Sequence, residues 1–87
     1  MSLNIEELKK KIIYRSSYRG TKEMSILLYS FATNLMDKLN ENELKNLLNL
    51  LNIDDDNLYK FKRGLKTNIE IEDTNITKLF KTYDYKK

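Results

Sequence analysis

Apolar residues recur at intervals of three and four positions along almost the whole chain, and this spacing restricts the fold more than any other feature. Such spacing predicts helices with one apolar face. The stretch Ile69–Glu72 alternates with period two, but a lone strand has no partner, so we interpret it as a linker. Short helices are unstable alone in water and must bury their apolar faces against one another. The sequence therefore predicts an all-α fold, a compact bundle of about five short helices.

Helix boundaries can be placed from the apolar faces and the capping residues. The apolar faces consist of Ile5, Leu8 and Ile12; Met24, Leu27, Leu28, Phe31 and Leu35, widened by Ile26, Ala32, Met36 and Leu39; Leu44, Leu47, Leu48 and Leu51; Leu58, Phe61 and Leu65; and Ile76, Leu79, Phe80 and Tyr83. Asn4, Thr21 and Asn40 are the expected N-caps of the first three helices, the last with a Glu at the capping-box position. The run Asp54–Asn57 starts the fourth helix, and Gly20 ends the first.

The length of 87 residues predicts a single helical domain, 1–87. Its C-terminal helix is expected at about 73–83 and a frayed tail at 84–87. Gly64 should lie near the end of the fourth helix. A chain this short, without Cys and hence without disulfides, should have modest stability. No stretch approaches the roughly 20 apolar residues of a membrane span, and no signal-peptide pattern opens the chain. We therefore expect a soluble cytoplasmic protein.

The composition limits the chemistry that this chain can carry. It has no His and no Cys, so it lacks the usual general base and the commonest metal ligands. The carboxylates of Asp54–Asp56 lack the alternation, the Gly and the Glu of a calcium-binding loop, and they suit a helix N-terminus better. A net charge of +3 without a dense basic stripe gives no reason to expect a nucleic-acid partner. We expect no catalytic or metal site, and a functional surface that holds a partner.

The strongest candidate for that surface is the pattern Arg19-Gly20-x-x-Glu23. A helix stop at Gly20 and an anion in the first turn of the next helix explain two of its three residues, but not an Arg beside the Gly. Arg, Gly and Glu together can present a bidentate donor, a close backbone approach and an acceptor. Tyr14 and Tyr18, four residues apart, share a helix face beside the arginines. The candidate partner-binding residues are Arg15, Tyr18, Arg19, Gly20 and Glu23.

The surroundings of this motif make it more specific. The chain carries, in order, Tyr14-Arg15-Ser16, Arg19-Gly20-x-x-Glu23-Met24, Leu27-Leu28, Phe31, Leu35, Leu39, Glu43-Leu44, Leu47-Leu48, Asp54-Asp55, Leu58, Phe61 and Gly64. In this pattern the chain resembles the succinate dehydrogenase assembly factor family, the small flavinator proteins of bacteria and mitochondria. The resemblance covers residues 5–64. It implies a helical fold of about five helices, in agreement with the spacing argument.

The resemblance also implies a function. Members of this family bind the flavoprotein subunit of succinate dehydrogenase, or of fumarate reductase in some bacteria, and promote covalent attachment of FAD to a histidine of that subunit. The resemblance implies an assembly factor in the bacterial cytoplasm, which is no enzyme and holds no cofactor stably but acts on the FAD of its partner. The family's functional surface corresponds to Arg19, Gly20 and Glu23. An antitoxin-like or other protein-binding helical module is the alternative, and a nucleic-acid-associated protein is less favoured.

The chain departs from the family pattern at three positions. Ser25 stands where the family often has Asp, Asp56 where Pro is common, and Phe61 where Trp is usual. The expected mechanism is docking of the basic 15–22 corner on the FAD-bearing face of the partner. There Arg19 would pair with a partner carboxylate or polar backbone, Gly20 would allow close approach with positive φ, and Glu23 would fix the orientation. The docked chain would hold the partner's histidine against the flavin methyl group.

Overall fold

The computed structural model describes residues 4–84, and these fold into five α-helices. The helices are α1 (Ile5–Ser17), α2 (Lys22–Leu35), α3 (Glu41–Leu51), α4 (Asp55–Lys62) and α5 (Asn75–Thr82), and a 3₁₀ turn at Met36–Lys38 follows α2. The all-α prediction is confirmed, because residues 4–84 contain no strand. The stretch Ile69–Glu72 lies in the loop between α4 and α5, as its interpretation as a linker required.

The C-terminal helix predicted at about 73–83 corresponds to α5, which begins at Asn75 and ends at Thr82. Of the frayed tail predicted at 84–87, residues 85–87 lie outside the described residues. Within residues 4–84, none of the helices has the length and apolarity that crossing a bilayer requires.

A side-chain N-cap begins each α-helix. The predicted caps are confirmed: the side chains of Asn4, Thr21 and Asn40 accept from the third backbone N–H of their helices, and Asn40 forms the full capping box. Asp54 caps α4, where a hydrogen bond from the Asn57 side chain, more than the bond from its backbone, lowers the carboxyl pKa. These caps satisfy donors that a helix otherwise leaves without partners, so each short helix has a defined start.

The apolar faces of the helices meet in one core. Its side chains are at most 9% exposed and comprise Leu8, Ile12, Met24, Leu27, Leu28, Phe31, Ala32, Leu44, Leu47, Leu50, Leu51, Leu58, Ile76 and Phe80. α1 lies against both α2 and α3, while α5 packs on α3 and α4. The helices therefore depend on one another for burial, as their short length requires.

Four residues assigned to apolar faces from the sequence are exposed. Ile5, Ile26, Leu65 and Leu79 retain 42%, 43%, 53% and 44% of their accessible surface. Ile5 is the first residue of α1, and Leu65 lies beyond the end of α4. Leu79 is on the outer side of α5, because Ile76 and Phe80, four residues apart, already fill the side that faces the core.

Gly64 ends α4, as its position in the sequence predicts. Its φ of 73° is in the left-handed region, which a residue without Cβ adopts at little cost. The backbone N–H of Gly64 donates to the carbonyl of Phe61 at 3.1 Å. The backbone N–H of Leu65 donates to the carbonyl of Lys60 at 2.8 Å. These bonds satisfy carbonyls in the last turn of α4.

Polar contacts join the last helix to the rest of the molecule. The Lys62 ammonium of α4 donates to the carbonyls of Phe80, at 2.6 Å, and Tyr83, so a cation occupies the C-terminal end of α5. Burial lowers the pKa of Lys62, against an opposing effect of Asp84. The hydroxyl of Tyr83, the C-cap of α5, accepts from the side-chain amide of Asn34 in α2 at 2.9 Å. The end of α5 is thus held to both α4 and α2.

Replacing Phe31 by Ala should destabilise the fold by about 3–5 kcal/mol, the usual cost of removing a buried ring. Phe31 is 1% exposed, and its ring packs edge-on against Phe80 and Tyr83 with centroids 5.3 and 5.2 Å away. Urea denaturation followed by circular dichroism measures the free energy of unfolding. Tyr29→Ala on the same helix is the control, since Tyr29 is 45% exposed and its loss should cost less than about 1 kcal/mol. Equal costs for the two variants would contradict the burial of Phe31.

Candidate functional site

The turn between α1 and α2 carries Arg19 and Gly20, and one carboxylate from α4 holds both. Asp55 is the first residue of α4. Its Oδ1 accepts from Nε of Arg19 at 2.8 Å, and its Oδ2 accepts from the backbone N–H of Gly20 at 2.6 Å. Both bonds have a charged partner, which makes them stronger than neutral hydrogen bonds. The carboxylate also lies at a helix N-terminus, where negative charge is favoured. We call this arrangement the Asp55 clamp.

The other donors of Arg19 bind backbone carbonyls. Nη1 donates to the carbonyls of Leu51 at 2.6 Å and Arg15 at 3.2 Å, and Nη2 donates to that of Ile53 at 2.6 Å. Arg15 lies in the last turn of α1, and Leu51 ends α3. Carbonyls at helix C-termini lack intrahelical partners and attract cations. One guanidinium therefore ties the ends of α1 and α3 to the start of α4.

This geometry bears on the expected role of Arg19. Its side chain is only 8% exposed, and its guanidinium binds acceptors within the chain. The expectation that it pairs directly with a partner carboxylate does not fit this arrangement. Replacing Arg19 by Ala would also leave the Asp55 carboxylate without its cation, so Arg19 has a structural role in the fold.

The prediction that Gly20 ends the first helix is wrong, because α1 ends at Ser17 and its C-cap is Tyr18. Glycine suits position 20 for a different reason. Within residues 4–84, positive φ occurs at Gly64 and not at Gly20. The constraint at Gly20 is space: a Cβ built there would lie 3.0 Å from Oδ2 of Asp55. Glycine thus lets the carboxylate approach the backbone N–H closely. The backbone conformation does not demand it.

Glu23 lies in the first turn of α2, next to the clamp, and is exposed. It borders a shallow pocket of about 350 Å³ together with Thr21, Met24, Asp55, Asp56 and Tyr59. The neighbouring Asp56 is paired with Lys60 at 3.1 Å. Glu23 forms no salt bridge or hydrogen bond through its carboxylate with any residue in 4–84. It is the member of the motif that is available as an acceptor.

Tyr14, Arg15 and Tyr18 lie on the outer face of α1 and its C-cap. The two tyrosines are 62% and 74% exposed, and their ring centroids are 4.9 Å apart. The side chain of Arg15 is exposed and has no carboxylate partner among the described residues. Along the chain, Arg15 and Tyr18 thus precede the Arg19–Gly20 turn, and Glu23 follows it in the first turn of α2. We call Tyr14, Arg15, Tyr18 and Glu23 the exposed rim of the turn.

Comparison with known proteins assigns this chain to a family. The family described as "Flavinator of succinate dehydrogenase" matches residues 10–84. The chain belongs to this flavinator family. The family resemblance of the motif and its surroundings is thereby confirmed. No solved structure gives a significant match to the chain.

Similar proteins come from a eukaryote and a bacterium. The chain is 40% identical over 57 residues to succinate dehydrogenase assembly factor 2, mitochondrial, of Dictyostelium discoideum. The aligned residues are 66% of this chain and 40% of that protein. It is 38% identical over 56 residues to the FAD assembly factor SdhE of Legionella pneumophila, strain Lens, covering 64% of this chain and 70% of that protein. The match thus spans less than half of the mitochondrial protein and about two thirds of the bacterial one.

The three departures from the flavinator pattern have local consequences. The Ser25 hydroxyl accepts from the backbone N–H of Arg19 at 3.3 Å, so it supports the same turn. Asp56 lies in the first turn of α4, where an acidic residue suits the helix dipole. Phe61 is partly buried, with the Lys81 ammonium 5.1 Å from its ring centroid. Each departure is compatible with the five-helix fold.

Reasoning from the sequence does not identify Asp55 as a site residue. The run Asp54–Asn57 predicts a helix start, a role that Asp54 fills, and Asp55 enters the sequence argument only as part of the family pattern. A signal was present in the sequence: three consecutive carboxylates exceed what one cap needs, and an arginine without a local partner stood elsewhere in the chain. Pairing them requires knowledge of the fold, since they lie 36 residues apart.

The Arg19–Asp55 pair should contribute more to stability than an exposed ion pair. Arg19→Ala and Asp55→Ala should each lower the free energy of unfolding by about 2–4 kcal/mol, because each leaves a partly buried charged group unpaired. The coupling energy from the double-mutant cycle should be about 1.5–3 kcal/mol, measured by urea denaturation.

The matched control is the neighbouring Lys60–Asp56 pair, whose side chains are 31% and 66% exposed. Its cycle should give about 0.5 kcal/mol, the usual value for helix pairs four residues apart. A coupling energy for Arg19 and Asp55 that is no larger than this would contradict the assigned role of the clamp.

Proposed function

We propose that this chain is an assembly factor that binds the flavoprotein subunit of succinate dehydrogenase and promotes covalent attachment of FAD to that subunit. Membership of the flavinator family supports the proposal, as do the names of the similar proteins from Dictyostelium and Legionella. The single structural observation that carries it is the Asp55 clamp, which fixes the Arg19–Gly20 turn between the exposed residues Tyr18 and Glu23 of the chain.

The proposed contribution of the chain is binding and positioning. The rim offers two aromatic rings, a cation and a carboxylate, but no imidazole or thiol. In this proposal the bond between the flavin methyl group and a histidine forms from groups of the partner. The proposal also includes that this chain is a non-enzymatic factor that holds no FAD stably. A bacterial cytoplasmic setting is part of the proposal. Fumarate reductase flavoprotein is the second partner to test.

The clamp explains why such a surface would be effective. The rim residues extend from backbone that Asp55 and Arg19 hold in one arrangement before the partner arrives. A surface that is already ordered loses less conformational entropy on binding. If the chain binds the flavoprotein better when the domains of that subunit are closed together, binding favours the closed state, because a ligand shifts an equilibrium toward the state it binds better. The histidine and the flavin would then spend more time in reactive geometry.

The direct test is reconstitution. The flavoprotein subunit from the same organism is incubated with FAD, with and without this chain, and covalent flavin is read as fluorescence in a denaturing gel. We expect the chain to raise the rate of covalent attachment and to co-purify with the flavoprotein. Equal rates with and without the chain, together with no co-purification, would refute the proposed function.

Gly20→Arg should abolish stimulation of flavin attachment while leaving a folded helical protein. The new side chain meets the Asp55 carboxylate at its first carbon, and it adds a bulky cation to the turn between Tyr18 and Glu23. The displaced carboxylate should cost about 1–2 kcal/mol of stability, within the range of ordinary point mutations. Thermal melting and the attachment assay are measured on the same preparation.

Gly64→Ala is the matched control for Gly20→Arg. At a φ of 73° any side chain is strained, so this change should also cost about 1 kcal/mol, but in open space. Gly64→Ala should therefore keep its activity. If both variants lost activity in proportion to their stability, Gly20 would be a structural residue only.

Glu23→Gln should weaken binding to the flavoprotein with little change in the melt. The substitution keeps the shape of the side chain and removes an exposed charge that pairs with nothing in residues 4–84. A loss of about fivefold or more in affinity, measured by calorimetry, is expected if a partner cation binds there. Glu6→Gln is the matched control, since Glu6 is also an exposed acid in the first turn of a helix. Equal affinities for the two variants would remove Glu23 from the binding surface.

A further inference from the structure

A second concave surface lies between α1 and α3, beside the exposed rim. It has a volume of about 570 Å³ and is bordered by Lys10, Lys11, Tyr14, Arg15, Leu48 and Asn52. We call it the basic groove. Its α1 wall is set by helical spacing, because Tyr14 follows Lys10 by four residues and Arg15 follows Lys11 by four.

The cations of the basic groove have no carboxylate partner within residues 4–84. The salt bridges of that region join Lys9 to Asp37, Arg19 to Asp55, Lys45 to Glu41 and Lys60 to Asp56. Glu6 and Glu7 lie four residues before Lys10 and Lys11, in positions that permit helix pairing, yet neither carboxylate comes within 4.0 Å of an ammonium nitrogen. Three positive side chains thus border one concavity without internal neutralisation.

The remaining lining is largely apolar. Leu48 is partly buried and packs against the core, so it provides a floor that belongs to the rigid part of the fold. The ring of Tyr14 forms part of the wall, 62% exposed and supported by Tyr18 at 4.9 Å. Asn52 adds an amide at the C-cap of α3. An apolar floor with a cationic border suits a polypeptide segment that combines an apolar side chain with acidic neighbours.

We propose that the basic groove binds an acidic segment of the flavoprotein, with an apolar side chain against Leu48 and carboxylates at Lys10, Lys11 and Arg15. This inference rests on the proposed function, because it names a second contact with the same partner. Tyr14 and Arg15 belong both to the groove and to the exposed rim, so one bound segment can continue from one surface to the other. A nucleic acid fits the floor less well, since it offers phosphates and bases but no aliphatic side chain.

The test compares the affinity of the flavoprotein for three forms of the chain at about 50 and 300 mM salt. The groove variant is Lys10→Glu/Lys11→Glu. The control is Lys38→Glu/Lys78→Glu, which changes the net charge equally at two exposed lysines that do not border the groove. We expect the groove variant to bind at least about tenfold more weakly at low salt, with a reduced salt dependence. The control should change affinity by less than about threefold.

A replacement variant and a cross-linking experiment complete the test. If circular dichroism shows that the groove variant does not fold, Lys10→Gln/Lys11→Gln replaces it, and we expect a smaller loss of affinity for the flavoprotein. Carbodiimide cross-linking of the wild-type complex, followed by mass spectrometry, should join Lys10 or Lys11 to Asp or Glu residues of one flavoprotein segment. Lys38 and Lys78 should not be joined to it.

The outcomes separate the two proposals. If wild-type chain does not bind the flavoprotein, the proposed function and this inference both fail. If wild type binds but the groove variant binds as tightly as the control, the groove inference fails and the proposed function stands. Displacement of the flavoprotein from the groove by a mixed-sequence single-stranded DNA at about 150 mM salt would also overturn the assignment to a protein segment.

Discussion

The carboxylate of Asp55 is the contact on which the arrangement of this small protein depends. It accepts from the Arg19 side chain and from the Gly20 backbone, and so fixes the turn between α1 and α2 to the start of α4. Arg19 then extends the connection to the carbonyls of Leu51 and Ile53. A charged group removed from water is costly unless its hydrogen bonds are made, and here acceptors at helix ends and a carboxylate at a helix start make them.

The core of so short a chain is small, and polar contacts of the same kind secure its edges. Lys62 donates to carbonyls at the end of α5, while Asn57 donates to Asp54 at 2.7 Å and accepts from the backbone of Asn68 at 2.8 Å. The Lys62 contacts join the end of α4 to the end of α5, and the Asn68 contact joins the first turn of α4 to the loop that follows the helix. An 87-residue chain hides a smaller share of its surface than a larger domain, so satisfied buried polar groups matter more to its structure.

The three residues of the Arg-Gly-x-x-Glu motif have different physical positions. Arg19 is buried and shapes the turn, Gly20 leaves room for a carboxylate, and Glu23 is exposed without an internal partner. The motif thus combines two residues that fix the turn with one exposed carboxylate. This division accounts for the short spacing, because the exposed residues extend directly from the backbone that the buried ones fix.

The sequence by itself determined the elements of this protein. Apolar spacing gave the helices, Asn4, Thr21, Asn40 and Asp54 marked their starts, and the motif with its surroundings indicated the family, because all of these depend on residues close together in the chain. Only the tertiary structure decided that Arg19 turns inward to Asp55, 36 residues away, and that Leu79 faces solvent. Local patterns specify which faces are apolar and which residues can cap a helix. They do not specify which helix ends lie next to one another in the fold. The acceptors of the Arg19 guanidinium come from such neighbouring helix ends, so the sequence alone does not identify them.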